Sequence, residues 1–168
     1  MTDNLNYDSK PCIPTYNSTQ DWAEIDKGFQ GAGVALVRGF LSPAQVADLN
    51  VTFDDYIASH ENVGQTTGSD SHKTGFLGAQ TLRIKGLAAK FDWSDDILAH
   101  PVLVAWAERM MAQSSTSIQL ATTEFIQIQP GQQRQPLHRD AGAWPVPPGG
   151  PAILVNAIIA LTQFTTEN

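Results

Sequence analysis

One short segment of this chain carries side chains whose types and spacing could bind a metal ion. Residues 135–140 read Gln-Pro-Leu-His-Arg-Asp, so one residue separates His138 from Asp140. In an extended segment, residues i and i+2 point to the same side of the backbone. An imidazole nitrogen and a carboxylate oxygen could then hold one ion, as in 2-His-1-carboxylate iron(II) sites with open coordination positions. Taken alone, the pattern leaves a second interpretation open, in which Asp140 only orients His138 or pairs with Arg139.

A site of this kind needs a second histidine, and the chain offers three other candidates. His60 lies at the end of a predicted helix, His72 lies in a polar loop, and His100 directly precedes a proline. Each of these positions is more typical of a solvated or structural histidine than of a metal ligand. The histidines within the chain therefore do not identify the remaining ligand.

The elements that must position the segment are predicted from hydrophobic periodicity and helix-end signals. Trp22, Ile25 and Phe29 recur at helical spacing, in a helix that begins near Thr19 and ends at Gly31. The sequence Ser-Pro-Ala-Gln at residues 42–45 has a capping residue, a proline at the first helical position and a glutamine three residues after the cap. A second helix is therefore predicted from there to about residue 60. Further predictions are a helical stretch over 94–111, restarted at Pro101, and strands over 33–40, 117–129 and 152–162.

The order of these elements places helices early and strands late, which favours an α+β domain in which helices buttress a sheet. Residues 1–17 are polar and contain two prolines, so we expect an extended arm. Residues 61–75 form a polar, glycine-rich stretch without periodicity and are a candidate lid loop. The run 152–162 is almost continuously apolar and predicts a strand buried on both faces, interrupted only by Asn156.

Composition and charge exclude several classes of function. The chain has a formal net charge of −7 and a pI of about 4.8, which argues against nucleic acid or an anionic membrane surface as a partner. Cys12 is the single cysteine, so neither an internal disulfide nor a cysteine zinc site is available. No apolar run reaches the ~18 residues of a membrane span, and the N-terminus lacks the features of a signal peptide. We expect an intracellular, cytoplasmic protein that acts on a small molecule.

Four segments in the same order resemble the phytanoyl-CoA dioxygenase-like family of iron(II)/2-oxoglutarate oxygenases. Residues 33–42 look like the opening strand and first core helix of the family, and residues 80–87 are similar to its T-x-R…L segment. Residues 135–140 match its metal-binding stretch, and residues 161–168 look like the strand end that precedes its distal motif. The details are closest to fungal natural-product members that modify terpenoid or alkaloid skeletons.

The resemblance implies a fold, a cofactor set and roles for individual residues. The fold would be a double-stranded β-helix, or cupin-like jelly roll, with buttressing N-terminal helices, only partly covered by this chain. His138 and Asp140 would be iron(II) ligands, and Gln135 would hydrogen-bond 2-oxoglutarate. With O2 as co-substrate, the enzyme would oxidise a C–H bond of a small apolar or polycyclic metabolite and release succinate and CO2. Ile126 and Trp144 would line the substrate pocket. Family members in natural-product pathways are often homodimers, so a second copy of the chain is one expected partner.

The resemblance also shows which family residues the 168 residues do not include. The chain ends at Asn168, before the positions where the family places its distal histidine and its 2-oxoglutarate-anchoring arginine. We therefore expect residues 1–168 to be the N-terminal portion of one longer catalytic domain. Two alternatives stay open: a non-catalytic jelly-roll interaction subunit, and a metal-binding cupin that does not use 2-oxoglutarate.

Overall fold

The structure is a computed structural model that describes residues 12–60, 75–147 and 149–165. The chain divides into two compact units, Met1–Ala47 and Asp48–Asn168, which are described separately below. The candidate lid loop therefore falls almost wholly outside the described residues, as does all but the end of the predicted N-terminal arm. Among the helices of the described ranges, none has the length and apolar character needed to cross a membrane.

The first unit is built on a pair of parallel strands joined by a helix. Strand β1 (Thr15–Asn17) pairs with β2 (Leu36–Arg38), and helix α1 (Trp22–Ala32) connects them. Because parallel strands cannot be joined by a tight turn, a helical crossover is the expected connection. The end of the predicted arm is thus a strand, and the strand predicted over 33–40 is only three residues long.

Helix α1 begins and ends at residues whose chemistry fixes its limits. The Asp21 carboxylate accepts a hydrogen bond from the Ala23 N–H at 3.0 Å, which satisfies one of the free donors at the helix N-terminus. Gly33 follows the helix with a φ of 73°, and its N–H donates to the Phe29 carbonyl. This left-handed position suits glycine, so the helix continues past the predicted stop at Gly31. Ile25 on the inner face is 2% exposed.

Helix α2 (Pro43–Ser59) confirms the capping box predicted from the sequence. The Gln45 N–H donates to the Ser42 hydroxyl at 3.2 Å, and the Ser42 N–H donates to the Gln45 side-chain oxygen at 2.9 Å. Two donors that a helix N-terminus leaves free are therefore satisfied reciprocally. The boundary between the two units falls within this helix.

The core of the second unit forms where α2 meets an antiparallel pair of strands, β3 (Thr81–Lys85) and β4 (Glu124–Ile128). Phe53 of α2 stacks on Phe125 of β4, with ring centroids 4.0 Å apart. The edges of two further aromatic rings, Phe91 and Trp93, meet the same side chain at centroid distances of 5.4 and 5.6 Å. Such aromatic contacts bury large apolar areas in preferred geometries.

Shorter helical elements connect the two strands of this sheet. A 3-10 turn (Leu87–Ala89) is followed by helices α3 (Ser94–Leu98) and α4 (Pro101–Met111), so the predicted restart at the proline is confirmed. The predicted strand over 117–129 is confirmed only at its end, where β4 pairs with β3. The described residues contain two two-stranded sheets and not a complete jelly roll.

The strand predicted over 152–162 is wrong for the described part of the chain. These residues form no ladder with β1–β4, and Ile158 is 83% exposed. A continuous apolar run indicates burial, but it forms a strand only where another strand offers its backbone N–H and C=O groups. None of the described strands offers that edge to the run.

Phe53 gives a direct test of this core. Replacing Phe53 with alanine removes the ring that contacts three other aromatic side chains, and we expect a loss of about 3–5 kcal/mol in unfolding free energy. The measurement is urea denaturation of the full protein followed by tryptophan fluorescence, since Trp93 lies against this ring. Val51→Ala, in the same helix but 60% exposed, is the control and should change the stability by less than about 0.5 kcal/mol. Equal effects of the two substitutions would contradict this core.

Candidate metal centre

The site begins where β4 ends and its backbone hydrogen bonds to β3 stop. Gly131, with a φ of 85°, turns the chain, and residues 132–139 have no regular secondary structure. Arg139 is extended, and a 3-10 turn (Asp140–Ala143) follows it. This course brings the Nε2 atom of His138 within 3.2 Å of the Oδ1 atom of Asp140. The two side chains are 37% and 53% exposed.

The tautomer of His138 follows from its second ring nitrogen. Nδ1 lies 2.9 Å from the Pro136 carbonyl oxygen, which can only accept a hydrogen bond, so Nδ1 carries the proton. The Nε2 lone pair of the neutral ring then faces a carboxylate oxygen that is also an acceptor. This contact is favourable only when a proton or a cation lies between the two atoms. A backbone carbonyl that fixes the far ring nitrogen is the usual partner of a metal-binding histidine.

The donor set fits a divalent transition metal. Two ligand atoms about 2.1 Å from one ion and at right angles to each other are about 3.0 Å apart, close to the observed separation. One neutral nitrogen and one anionic oxygen suit iron(II) and leave several coordination positions free. Within residues 12–60, 75–147 and 149–165, no group of three or more His, Cys, Asp or Glu side chains could complete a metal site.

The surroundings of His138 depend on Gln135 and Phe76. The edge of one ring faces the other, with the centroids of Phe76 and His138 4.8 Å apart and their planes at 71°. The Gln135 side-chain amide donates to the Phe76 carbonyl oxygen at 2.8 Å. Because a primary amide has two N–H groups, this bond leaves one donor of Gln135 free for a ligand. Gln135 therefore also fixes the backbone that carries the ring packed against His138.

The second oxygen of Asp140 has its own partner. The side-chain amide of Asn156 donates to Oδ2 of Asp140 at 2.5 Å, across 16 residues of sequence. Sequence reasoning missed this contact, although Asn156 was visible as the polar interruption of an apolar run.

The other described histidines have local structural roles, which agrees with their sequence context. The ring of His60 stacks on Tyr56 with centroids 4.0 Å apart, and its Nδ1 donates to the Tyr56 carbonyl at 2.9 Å. Nδ1 of His100 accepts from the Val102 N–H at 3.3 Å and so caps α4. His72 lies outside the described residues.

The remaining candidate residues lie on more open surfaces. Ile126 of β4 is 47% exposed and Trp144, directly after the 3-10 turn, is 55% exposed. Neither side chain takes part in the hydrogen bonds and ring contacts described above for the His138–Asp140 pair. Their assignment to a substrate pocket stays a prediction.

Arg83 lies directly opposite Ile126 in the sheet. Its side chain is only 12% exposed. It forms an ion pair with Glu124 at 2.9 Å and donates through Nε to the Leu77 carbonyl at 3.3 Å. Lys85, at 65% exposure, does lie in solvent.

Comparisons with known proteins identify the family to which this chain is similar. A family model described as phytanoyl-CoA dioxygenase matches residues 29–168. The chain is 33% identical to the dioxygenase aneA of Aspergillus aculeatus over 141 residues, which are 81% of this chain and 47% of that protein. It is 32% identical to the Fe(II)/2-oxoglutarate-dependent dioxygenase nvfF of Aspergillus novofumigatus, over 95% of this chain and 55% of that protein. It is 25% identical to the multifunctional dioxygenase prhA of Penicillium brasilianum, over 94% of this chain and 52% of that protein. The chain thus spans about half the length of these relatives.

The three described histidines allow an internal test of the tautomers. In alkaline solution, two-bond 1H–15N correlation spectra of the full protein should give Nδ1–H for His138 and His60, which donate to carbonyls. The same spectra should give Nε2–H for His100, whose Nδ1 accepts from a backbone N–H. On addition of Zn(II), a diamagnetic probe, the Nε2 signal of His138 should shift while those of His60 and His100 stay in place. In the metal-free protein, a neutral His138 ring that carries its proton on Nε2 and none on Nδ1 would contradict the geometry.

Proposed function

Since the chain belongs to the phytanoyl-CoA dioxygenase family, we propose that the full protein is a non-haem iron(II), 2-oxoglutarate-dependent dioxygenase. One observation carries the proposal: the Nε2 atom of His138 lies 3.2 Å from a carboxylate oxygen of Asp140. The family has a cupin-like jelly-roll fold, and the described residues contain helices and two two-stranded sheets. A relative named as an Fe(II)/2-oxoglutarate-dependent enzyme supports the choice of cofactors.

In this proposal, His138 and Asp140 hold iron(II), with the remaining histidine ligand supplied by the part of the protein beyond residue 168. Bound iron(II) supplies the reaction with O2 that couples decarboxylation of 2-oxoglutarate, to succinate and CO2, with oxidation of a substrate C–H bond. The Pro136 carbonyl keeps the proton of His138 on Nδ1, so that Nε2 stays available as a ligand. The free amide donor of Gln135 binds a carboxylate oxygen of 2-oxoglutarate, while its other N–H holds Phe76.

The substrate proposed is a small apolar or polycyclic metabolite. Ile126 and Trp144 expose apolar surface and would contact it, with Ile128 on the same strand face as Ile126 at 62% exposure. Apolar walls suit a substrate that offers C–H bonds for oxidation, and they keep water from the reacting atoms. Hydroxylation is the simplest outcome, and desaturation or related radical chemistry follows from the same removal of hydrogen.

The ligand roles of His138 and Asp140 are tested by substitution in the full protein. His138→Ala and Asp140→Ala should each reduce succinate formation from 2-oxoglutarate, with iron(II) and ascorbate present, to the background without enzyme. His60→Ala is the matched control, because this histidine is engaged with Tyr56, and it should retain succinate formation. Wild-type succinate formation that does not exceed that of the His138→Ala protein and the background would favour the non-catalytic interaction subunit.

Gln135 separates 2-oxoglutarate binding from metal binding. Adding 2-oxoglutarate to the anaerobic iron(II) protein should produce a visible metal-to-ligand charge-transfer band, whose titration gives the dissociation constant. Gln135→Ala should raise that constant about tenfold, the effect of losing one hydrogen bond to a charged group. The iron(II) affinity should change less, because Gln135 acts on His138 only through Phe76.

Gln133→Ala is the control for this titration, since only the backbone carbonyl of Gln133 takes part in the described loop contacts. A wild-type protein that binds iron(II) but gives no band with 2-oxoglutarate would favour the metal-binding cupin. Equal dissociation constants for Gln135→Ala and wild type would remove Gln135 from the binding site.

A further inference from the structure

Asn156 stands out in its surroundings. It is the one polar residue between Ala152 and Leu161, a stretch that otherwise consists of Ala, Ile, Leu and Val. Its side-chain amide does not simply face water, because Nδ2 donates to the Oδ2 atom of Asp140. Because this amide binds the carboxylate of the candidate centre, its role is more specific than making the stretch soluble.

The path of this stretch is fixed on both sides of Asn156. The Ser114 hydroxyl, just after α4, donates to the Ala152 carbonyl oxygen. The side-chain amide of Asn50 in α2 donates to the Leu161 carbonyl oxygen at 3.0 Å. These two bonds attach a segment without a strand partner to two different helical elements, and Asn156 lies between them. The contact between Asn156 and Asp140 is therefore set by the fold of the second unit.

The contact determines which oxygen of Asp140 is available. The terminal torsion of an aspartate is broad and roughly two-fold, so a free carboxylate exchanges its two oxygens easily. With Oδ2 held by Asn156, Oδ1 is the oxygen that faces Nε2 of His138. A hydrogen bond to an ionised carboxylate is stronger than one between neutral groups, so it restrains this rotation.

We propose that Asn156 is a positioning residue that holds the Asp140 carboxylate so that a single oxygen, Oδ1, is presented to the metal beside His138. The inference rests on the proposed function of the His138–Asp140 pair as a metal site. A carboxylate that binds through one oxygen occupies one coordination position and leaves more of them for other ligands.

The chemistry of the amide explains why asparagine suits this position. Arginine or lysine would also donate to Oδ2, but its positive charge would offset the negative charge that attracts a cation and would repel the ion. A neutral amide restrains the carboxylate and leaves its full charge for the metal. A hydrogen bond to a ligating carboxylate also orients it, as the partners of metal ligands commonly do.

The test measures metal affinity rather than turnover. Asn156→Leu keeps a similar side-chain volume and removes the donor. In the full protein, we expect the dissociation constant for Co(II), an oxygen-insensitive substitute for iron(II), to rise about 10- to 100-fold. The Co(II) visible spectrum, which reports the coordination geometry, should also change shape.

Ile158→Ala is the matched control. It lies in the same stretch, is 83% exposed and leaves the bond between Asn156 and Asp140 in place, so it should keep the wild-type affinity and spectrum. If Asn156→Leu matched Ile158→Ala in both readouts, the inference would be overturned. His138→Ala distinguishes failure of the metal site from failure of the role of Asn156. If His138→Ala loses Co(II) binding while Asn156→Leu keeps the wild-type affinity, only the role of Asn156 is rejected. Unchanged binding in His138→Ala rejects the metal site itself.

A second measurement keeps Asn156 in place, so it does not depend on whether the Asn156→Leu protein folds. In 1H–15N spectra of the metal-free protein, the side-chain amide signals of Asn156 should move when Asp140 is replaced by alanine. Those of Asn50, whose acceptor is the Leu161 carbonyl, should stay in place. Unmoved Asn156 signals would show that the amide does not bind Asp140 in solution.

Discussion

The candidate site depends on an electrostatic conflict between two acceptors. Because the Pro136 carbonyl keeps the proton of His138 on Nδ1, the lone pair on Nε2 is directed at an oxygen of Asp140. Two such atoms 3.2 Å apart repel each other unless positive charge lies between them. The folded backbone therefore builds a place where a cation is stabilised. Phe76, Gln135 and Asn156 each keep one part of this arrangement from relaxing.

The scaffold that maintains this arrangement is small. Phe53 stacks on Phe125, so α2 is packed against the strand whose end leads into the candidate metal-binding segment. On that strand, Glu124 neutralises Arg83 of the neighbouring strand, which lets a cation lie at 12% exposure. Packing and ion pairing thus fix β3 and β4. The position at which the irregular segment 132–139 leaves β4 is therefore fixed as well.

Features that depend on residues close together in the sequence could be predicted, and features that depend on residues far apart in the sequence could not. The helix starts at Ser42 and Pro101 were predicted correctly because capping involves residues within one turn. The His-x-Asp spacing likewise identified two side chains that the structure brings together. Strand β1 and the bond between Asn156 and Asp140 were missed, since their partners lie about 20 residues away in the sequence. The apolar run over 152–162 indicated burial, and pairing between strands cannot be read from composition alone.

The two outer hydrogen bonds of that run have an evolutionary consequence. Both Ser114 and Asn50 bind main-chain oxygens, so the route of the segment is independent of which side chains Ala152 and Leu161 carry. Residues such as Ile158, which projects outward, can then be exchanged without displacing Asn156. Sequence change can therefore accumulate at the exposed positions of this stretch without moving the amide away from the Asp140 carboxylate.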